Sequence, residues 1–226
     1  LLSEAEDLVP YLAKDSSNAW LPVYNEINGF KISRFRPRIE STHSKIEKIE
    51  HSDFGTYWKV TSPNNTVTFY GRNESARLFN PDNYEYKKEN IDDVPSLISE
   101  KHRLNGVSNI TNNYLKRIKY GNTQSFFRDN SNPYDFNDPG QSQGSAEEQH
   151  CFEVVFDYGE HNLEIPTTNE EADTKWNYRP DAFSSYRSGF EIRTNRLCKR
   201  VLLFHKFQEL GVEPCLVKSI ELEYNP

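Results

Sequence analysis

Apolar and polar positions alternate with a period of two along most of this chain, which is strand patterning. Residues 30–39 alternate after the turn pair Asn28-Gly29, and residues 57–62 and 66–70 flank Pro63-Asn64-Asn65 as a hairpin would. Residues 114–120 run into Gly121-Asn122, residues 152–158 run into Gly159, and residues 215–224 make a last strand. Between Pro180 and Phe207 the pattern predicts a Ser-rich turn, released at Gly189, that feeds one long basic strand. There Phe190, Ile192 and Thr194 alternate with Glu191, Arg193 and Asn195, and Val201, Leu202, Leu203 and Phe204 run together as in a strand covered on both faces. The one helical candidate, residues 96–104, is short.

Three stretches break the pattern. Residues 128–149 contain no Val, Ile or Leu and are crowded with Asn, Asp, Ser, Gly and Pro, so they bury too little apolar surface to offset ordering and predict a disordered loop. Residues 87–113 and 165–174 read as further soft regions. No internal repeat recurs at a fixed period.

Composition supports an all-β class. Of 226 residues 35% are hydrophobic, yet aromatics reach 13% with 13 Tyr and 14 Phe, which suits thin antiparallel sheets bridged by large rings. A net charge of −7 argues against nucleic-acid binding, which depends on neutralising phosphates. No apolar run approaches the roughly 20 residues that span a bilayer, so no membrane insertion is expected of these residues. A chain that opens on Leu1 and holds no Met reads as a piece of a longer polypeptide. Cys151, Cys198 and Cys215 lack the spacing of a disulfide framework or zinc site and read as buried free thiols.

Several segments are similar, in order, to the N-terminal region of the Salmonella virulence plasmid B protein family and the B component of insecticidal toxin complexes. They are residues 2–10, Phe35-Arg36-Pro37-Arg38-Ile39-Glu40, residues 57–62, residues 69–78, residues 114–122, Val155-Phe156-Asp157-Tyr158-Gly159-Glu160-His161, Trp176 with Arg179, residues 180–207, and residues 222–226. The resemblance spans nearly all of residues 1–226. It implies a region that helps build a shell around an unfolded toxic polypeptide, beside a β-propeller, with the toxin-complex C component, the channel-forming A component and the rest of the parent chain as partners. It also implies a protein made in the bacterial cytoplasm and secreted. The chain departs from the family between Pro81 and Tyr84, where Asp82-Asn83 stand in place of a hairpin, and the lost strand predicts an unpaired edge that promotes association.

Catalysis is not expected, and no cofactor is implied. The ADP-ribosyltransferase pattern needs Ser-x-Ser and Glu-x-Glu, whereas here Ser184-Ser185 are adjacent and Glu191 is followed by Arg193. His150-Cys151 and Cys198 with His205 have no ligand-set spacing, and Asp129, Asp135 and Asp138 lack the rhythm of a calcium loop. The three Asn-x-Ser/Thr triplets at Asn64, Asn73 and Asn109 read as turn residues. Arg34, Arg36 and Arg38 share a strand face, which predicts cross-strand ion pairs or, alternatively, a contact surface for a partner.

The residues expected to matter are therefore architectural. They are Gly71, Gly121, Gly159 and Gly189 at turns, Trp58, Phe156, Phe190 and Phe204 as packing anchors, and Arg36, Arg193 and Arg196 as ion-pair or partner contacts. The rival reading is a free-standing carbohydrate- or protein-binding β module, which a shared face of Trp176, Tyr178 and Tyr186 would favour.

Overall fold

The computed structural model describes residues 8–27, 29–39, 42–51, 55–71, 77–78, 112–122, 150–171, 178–186, 192–211 and 214–224. The elements are β1 (Leu8–Pro10), β2 (Leu12–Lys14), β3 (Trp20–Pro22), β4 (Tyr24–Ile27), β5 (Phe30–Pro37), β6 (Lys45–His51), β7 (Gly55–Thr61), β8 (Val67–Tyr70) and β9 (Arg77–Leu78). After them come β10 (Asn112–Asn113), β11 (Leu115–Asn122), β12 (His150–Asp157), β13 (Tyr178–Ser185), β14 (Ile192–Arg196), β15 (Arg200–His205) and β16 (Cys215–Glu221). Among the described residues the only helical piece is a 3-10 turn at Gln208–Leu210, and no helix is long and apolar enough to cross a membrane.

The chain is all-β, and among the described residues every strand pairing is antiparallel. A ten-stranded sheet runs β1-β5-β6-β7-β8-β11-β12-β15-β16, with β4 also on β5. This is largely a meander, since from β4 onward each strand pairs with the next one that belongs to the sheet. Three two-stranded pieces interrupt it: β2 with β3, β9 with β10, and β13 with β14.

The β7–β8 hairpin forms as expected. The Ser62 and Thr66 backbones close the turn at 2.9 Å, and Asn65 takes a φ of 61°, which Asn tolerates better than most residues. One face of the sheet holds two apolar clusters: Ile32, Ile49, Tyr57, Val67 and Phe69, and further along Val155, Leu202 and Phe204. Register explains them, because Ile32, Ile49 and Tyr57 are direct cross-strand neighbours, as are Val155 and Leu202. Each such side chain, fully buried, contributes about 1.5–3 kcal/mol. The same face also carries charge. Glu153 on β12 gathers Arg117 at 2.8 Å, Lys206 at 3.3 Å and Lys119 at 3.9 Å, and Glu47 on β6 takes Lys45 at 2.9 Å and Arg34 at 4.0 Å.

The structure corrects four expectations. The long strand between 190 and 207 is two strands in different sheets, broken at residues 197–199. The Ser-rich turn starts later than expected, because Pro180 to Ser185 belong to β13, and Gly189, where it was expected to be released, lies outside the described residues. Val201–Phe204 alternates between full and partial burial, since β15 is fully covered on one face only. The three cysteines are free, as expected, but half-buried rather than buried.

Gly121 lies inside β11 rather than beyond its end. It has a φ of 69°, and a Cβ there would lie 2.5 Å from the Phe152 ring. That ring stacks on Tyr120 at 4.9 Å and meets His205 and Phe207 edge-on, so it cannot swing away cheaply. Gly121→Ala is therefore expected to cost roughly 2–4 kcal/mol from backbone strain and overpacking. Thermal melts should show that loss, with partial recovery in Gly121→Ala/Phe152→Leu; an unchanged melt would contradict it.

Candidate functional site

The chemistry-bearing residues converge not on the expected arginines but on the loop after β12. Pairing between β11 and β8 slips by one residue between Leu115 and Arg117, a bulge that takes Lys116 out of the ladder. Lys116 is fully buried, and a buried ammonium needs acceptors on every side. It finds them in the Phe156 carbonyl at 3.2 Å, His161 Nε2 at 3.0 Å, Glu170 Oε1 at 3.4 Å, and Glu160 Oε1, to which it donates directly.

A second ion pair lies next to the first. Arg200 opens β15 and gives Nε to Asp157 Oδ2 at 2.6 Å, while its Nη atoms donate to the carbonyls of His161, Asn162 and Leu163 at 2.9–3.2 Å. Asp157 Oδ1 accepts the Gly159 amide at 2.8 Å, which shapes the turn where Gly159 takes a φ of 115°. Glu160 Oε2 accepts the Tyr158 amide at 2.7 Å, and Tyr158 returns its hydroxyl to the Leu115 carbonyl at 3.0 Å. Arg117 donates to the Thr168 carbonyl at 2.6 Å, and the Glu171 amide to the Glu160 carbonyl at 2.8 Å. Residues 158–171, expected to be soft from Ile165 onward, are thus pinned through residue 171; Leu163 and Ile165 nevertheless point into solvent.

The electrostatics follow from burial and from these partners. Burial pushes the Glu160 carboxyl up to about 7, against the pull of the Lys116 ammonium. Burial and the same ammonium push the His161 imidazole down to about 4. Its Nδ1 faces the Thr167 carbonyl at 3.0 Å, which places the proton on Nδ1 and leaves Nε2 to accept from Lys116. Burial alone would raise Asp157, but the Gly159 amide and the Arg200 guanidinium outweigh it and hold the carboxyl below its usual range.

The Glu160 and His161 shifts have opposite signs. A raised carboxylate makes the folded state bind the extra proton between about 4.5 and 7, so that contribution to stability falls as pH rises. A depressed imidazole makes the unfolded state bind it between about 6.5 and 4, so that contribution falls as pH drops. Between about 4.5 and 6.5 the folded pair carries its proton on Glu160 and the unfolded pair on His161, and stability is expected to be flat. His161→Asn should therefore lose stability as pH rises across this window, and Glu160→Gln should lose it as pH falls. Denaturant midpoints at four pH values test this, and parallel slopes in the two variants would contradict it.

Glu160, His161 and Glu170 have ligand atoms within 4.8 Å of one another, the spacing of a metal site. The point on which they converge holds the Lys116 ammonium. The cluster carries its own cation, and a metal ion would have to displace a buried lysine.

Of the other expected residues, Phe204 is fully buried, while Trp58 and Phe156 are half-buried, Trp58 edge-on to Phe35 at 5.0 Å. Gly71 has a φ of 65° at the end of β8. Arg193 and Arg196 are buried; Arg193 donates to Ser184 Oγ at 3.1 Å, and its carbonyl accepts from Asn112 Nδ2 at 2.8 Å and from the Tyr114 hydroxyl at 3.4 Å. Arg36 is exposed, 5.8 Å over the Tyr11 ring, whereas Arg34 makes the expected cross-strand pair with Glu47. Tyr186 is exposed. Gly189, Phe190, Glu191, Trp176, the helical candidate, the connection at 82–83 and residues 128–149 lie outside the described residues, as does the side chain of Tyr178.

The Cys198 thiol is held in its protonated form near neutral pH. Burial, reinforced by Asp157 and Glu160, pushes its thiol up to about 11, and its Sγ donates to the Arg200 carbonyl at 3.4 Å. Lys116, Glu170 and Arg200 were missed in the sequence because they lie far along the chain from the Asp157–His161 segment or read as solvated charge.

A buried knot of opposite charges that ties one loop to three strands is a structural device, and the Asp157–His161 segment that carries it is among those similar to the virulence-plasmid family. The model of that family, the Salmonella virulence plasmid 65kDa B protein, matches residues 1–84 and 82–207. The chain belongs to this family. The two matches meet at residues 82–84, where Asp82-Asn83 form the short connection. The Mono(ADP-ribosyl)transferase SpvB of Salmonella typhimurium (strain 14028s / SGSC 2262) is 29% identical over 221 residues, covering 87% of this chain and 35% of the relative. The chain thus spans about a third of the length of the curated relatives it matches. Among solved structures, the N-terminal domain of effector protein SpvB from Salmonella typhimurium strain LT2 is 26% identical, with 96% of this chain and 73% of that one covered and a TM-score of 0.42. TcdB2-TccC3 is 24% identical, with 96% and 11% covered and a TM-score of 0.43.

Proposed function

We propose that these residues are a non-catalytic structural part of a secreted bacterial toxin component, and that in the intact protein they help form a shell that encloses and delivers a toxic polypeptide. The observation that carries this reading is the self-sufficiency of the charged cluster. Lys116 occupies the convergence point of Glu160, His161 and Glu170, and Arg200 occupies Asp157, so the groups best placed for acid–base or metal chemistry are engaged in holding residues 158–171. Family membership supports the same reading, and the transferase activity in the relatives' name belongs, on this view, to a part of those proteins outside the matched third. The partners are the rest of the parent chain, the toxin-complex C component and the channel-forming A component.

The test is protection of the passenger. In the full-length parent co-produced with its C component, removing residues 1–226 is expected to open the passenger to added protease. A passenger equally protected without these residues would overturn the proposal.

A further inference from the structure

The part of the molecule that this reading leaves unexplained is the β2–β3 hairpin. β4 pairs with Phe30–Ser33 and β1 with Phe35–Pro37, so β1 and β4 lie end to end along the outer edge of β5. The hairpin leaves the sheet between them, its base fixed by the Tyr11 amide on the Arg34 carbonyl at 3.0 Å and the Val23 amide on the Tyr11 carbonyl at 2.8 Å. Every residue of β2 and β3 is exposed. Yet Tyr11, Leu12, Trp20, Leu21 and Tyr24 are all large and apolar, with Trp20 61% and Tyr24 53% accessible.

The pairing shows why this is not an ordinary surface hairpin. Leu12 opposes Pro22 and Lys14 opposes Trp20 on one face, while Ala13 opposes Leu21 on the other, so neither face is the polar one. A two-stranded hairpin is marginal by itself in water. This one is held by its tip: Asp15 Oδ1 accepts the Ser17 amide at 2.9 Å, the Ser17 hydroxyl at 2.7 Å and the Ala19 amide at 2.9 Å, and Asn18 supplies a φ of 67°. The arm is therefore shaped before anything binds it, which lowers the cost of binding.

Its charge selects what it can bind. Lys14 lies 5.4 Å over Trp20, Lys31 4.7 Å over Tyr24 and Arg36 5.8 Å over Tyr11. Each exposed ring thus carries a cation, and Asp15, the acid at the tip, is engaged by the turn. Aromatic and basic side chains together are the usual anchors of a protein interface, and their complement is an apolar centre rimmed with carboxylates.

The geometry points to a docking arm, residues 11–24 with Lys31 and Arg36, that seats on an acidic-rimmed apolar surface of the parent polypeptide outside these 226 residues. The inference rests on the reading of the chain as part of a larger shell. The curated relatives are about three times as long as the stretch they share with this chain, and a surface of the same polypeptide meets the arm at a high effective concentration.

The test uses the full-length parent with a photo-crosslinking amino acid at Trp20 or, separately, at Leu21. Expected are crosslinks to residues beyond 226 or preceding residue 1, on a surface bearing Asp and Glu. In Lys14→Glu/Lys31→Glu, which alters only exposed groups, their yield should fall about tenfold, a loss of about 1.4 kcal/mol. Crosslinks confined to residues 1–226, crosslinks to a second copy that scale with concentration, no crosslink, or a yield indifferent to the charge reversal would each overturn the inference. Passenger protection measured on the same samples separates the two ideas: protection without the crosslink sinks the arm and spares the shell, and the crosslink without protection does the reverse.

Discussion

Arg200→Met is expected to lower stability by about 3–5 kcal/mol, the usual consequence of removing one partner of a buried ion pair. The substitution leaves the Asp157 carboxylate without its guanidinium and three carbonyls, of His161, Asn162 and Leu163, without their donor. The length of the side chain is kept, so lost packing contributes little. Equilibrium denaturation should show the drop together with faster proteolysis within residues 158–171, because Arg200 fixes that loop to β15. Adding Asp157→Asn should cost less than the two single losses summed, since the carboxylate it removes is the one left stranded. Strict additivity would mean that the pair is not coupled.

Lys116→Met is expected to be comparably severe, about 3–5 kcal/mol at neutral pH, and unlike Arg200→Met its penalty should depend steeply on pH. Without the ammonium, Glu160 and Glu170 face each other and the uncharged His161 with no cation between them. Burial already raises Glu160, and loss of its largest opposing influence raises it further. A raised carboxylate is tolerated in its protonated form, so the variant should recover stability as pH falls from 8 toward about 5 and lose it again as pH rises. Chemical denaturation at those pH values reads the slope directly. A pH-independent penalty would show that Glu160 is not the group that suffers.

What the sequence made legible was the alternation. β5, the β7–β8 hairpin, β11, β12 and β16 show hydrophobic positions every second residue or a turn signal at their ends, and these strands lie within a few residues of where the pattern puts them. β6 was missed because its buried face includes Glu47 beside Ile49, and a charged residue at an inward position reads as solvent-facing until its cross-strand partners are known. β13 was missed because Pro180, Ser184 and Ser185 signal a turn locally, whereas pairing with β14 overrides that preference. The break at residues 197–199 has no strong turn residue to announce it.

The site was half in view. Asp157, Tyr158, Gly159, Glu160 and His161 stood out as one of the segments similar to the family, but their chemistry was invisible because Asp157, Tyr158, Glu160 and His161 each need a partner 39–45 residues away on another strand. A lysine between Leu115 and Arg117 reads as one more solvated charge, and only the bulge in β11 turns it inward. The exposed arm at residues 11–24 was equally hidden, since its apolar side chains resemble a core strand in sequence and only the topology leaves them without a core.

The sharpest distinction is between a charged cluster that only builds and one that reacts. A variant carrying Lys116→Met and Glu160→Leu replaces the central pair by apolar side chains of similar volume, which buried ion pairs often tolerate with little change in stability. On the shell proposal, that variant, placed in the full-length parent with the proposed C component and shown to melt within a few degrees of the unsubstituted protein, is predicted to leave protection and release of a passenger unchanged. A stably folded variant that has lost the protein's activity would contradict a purely architectural role.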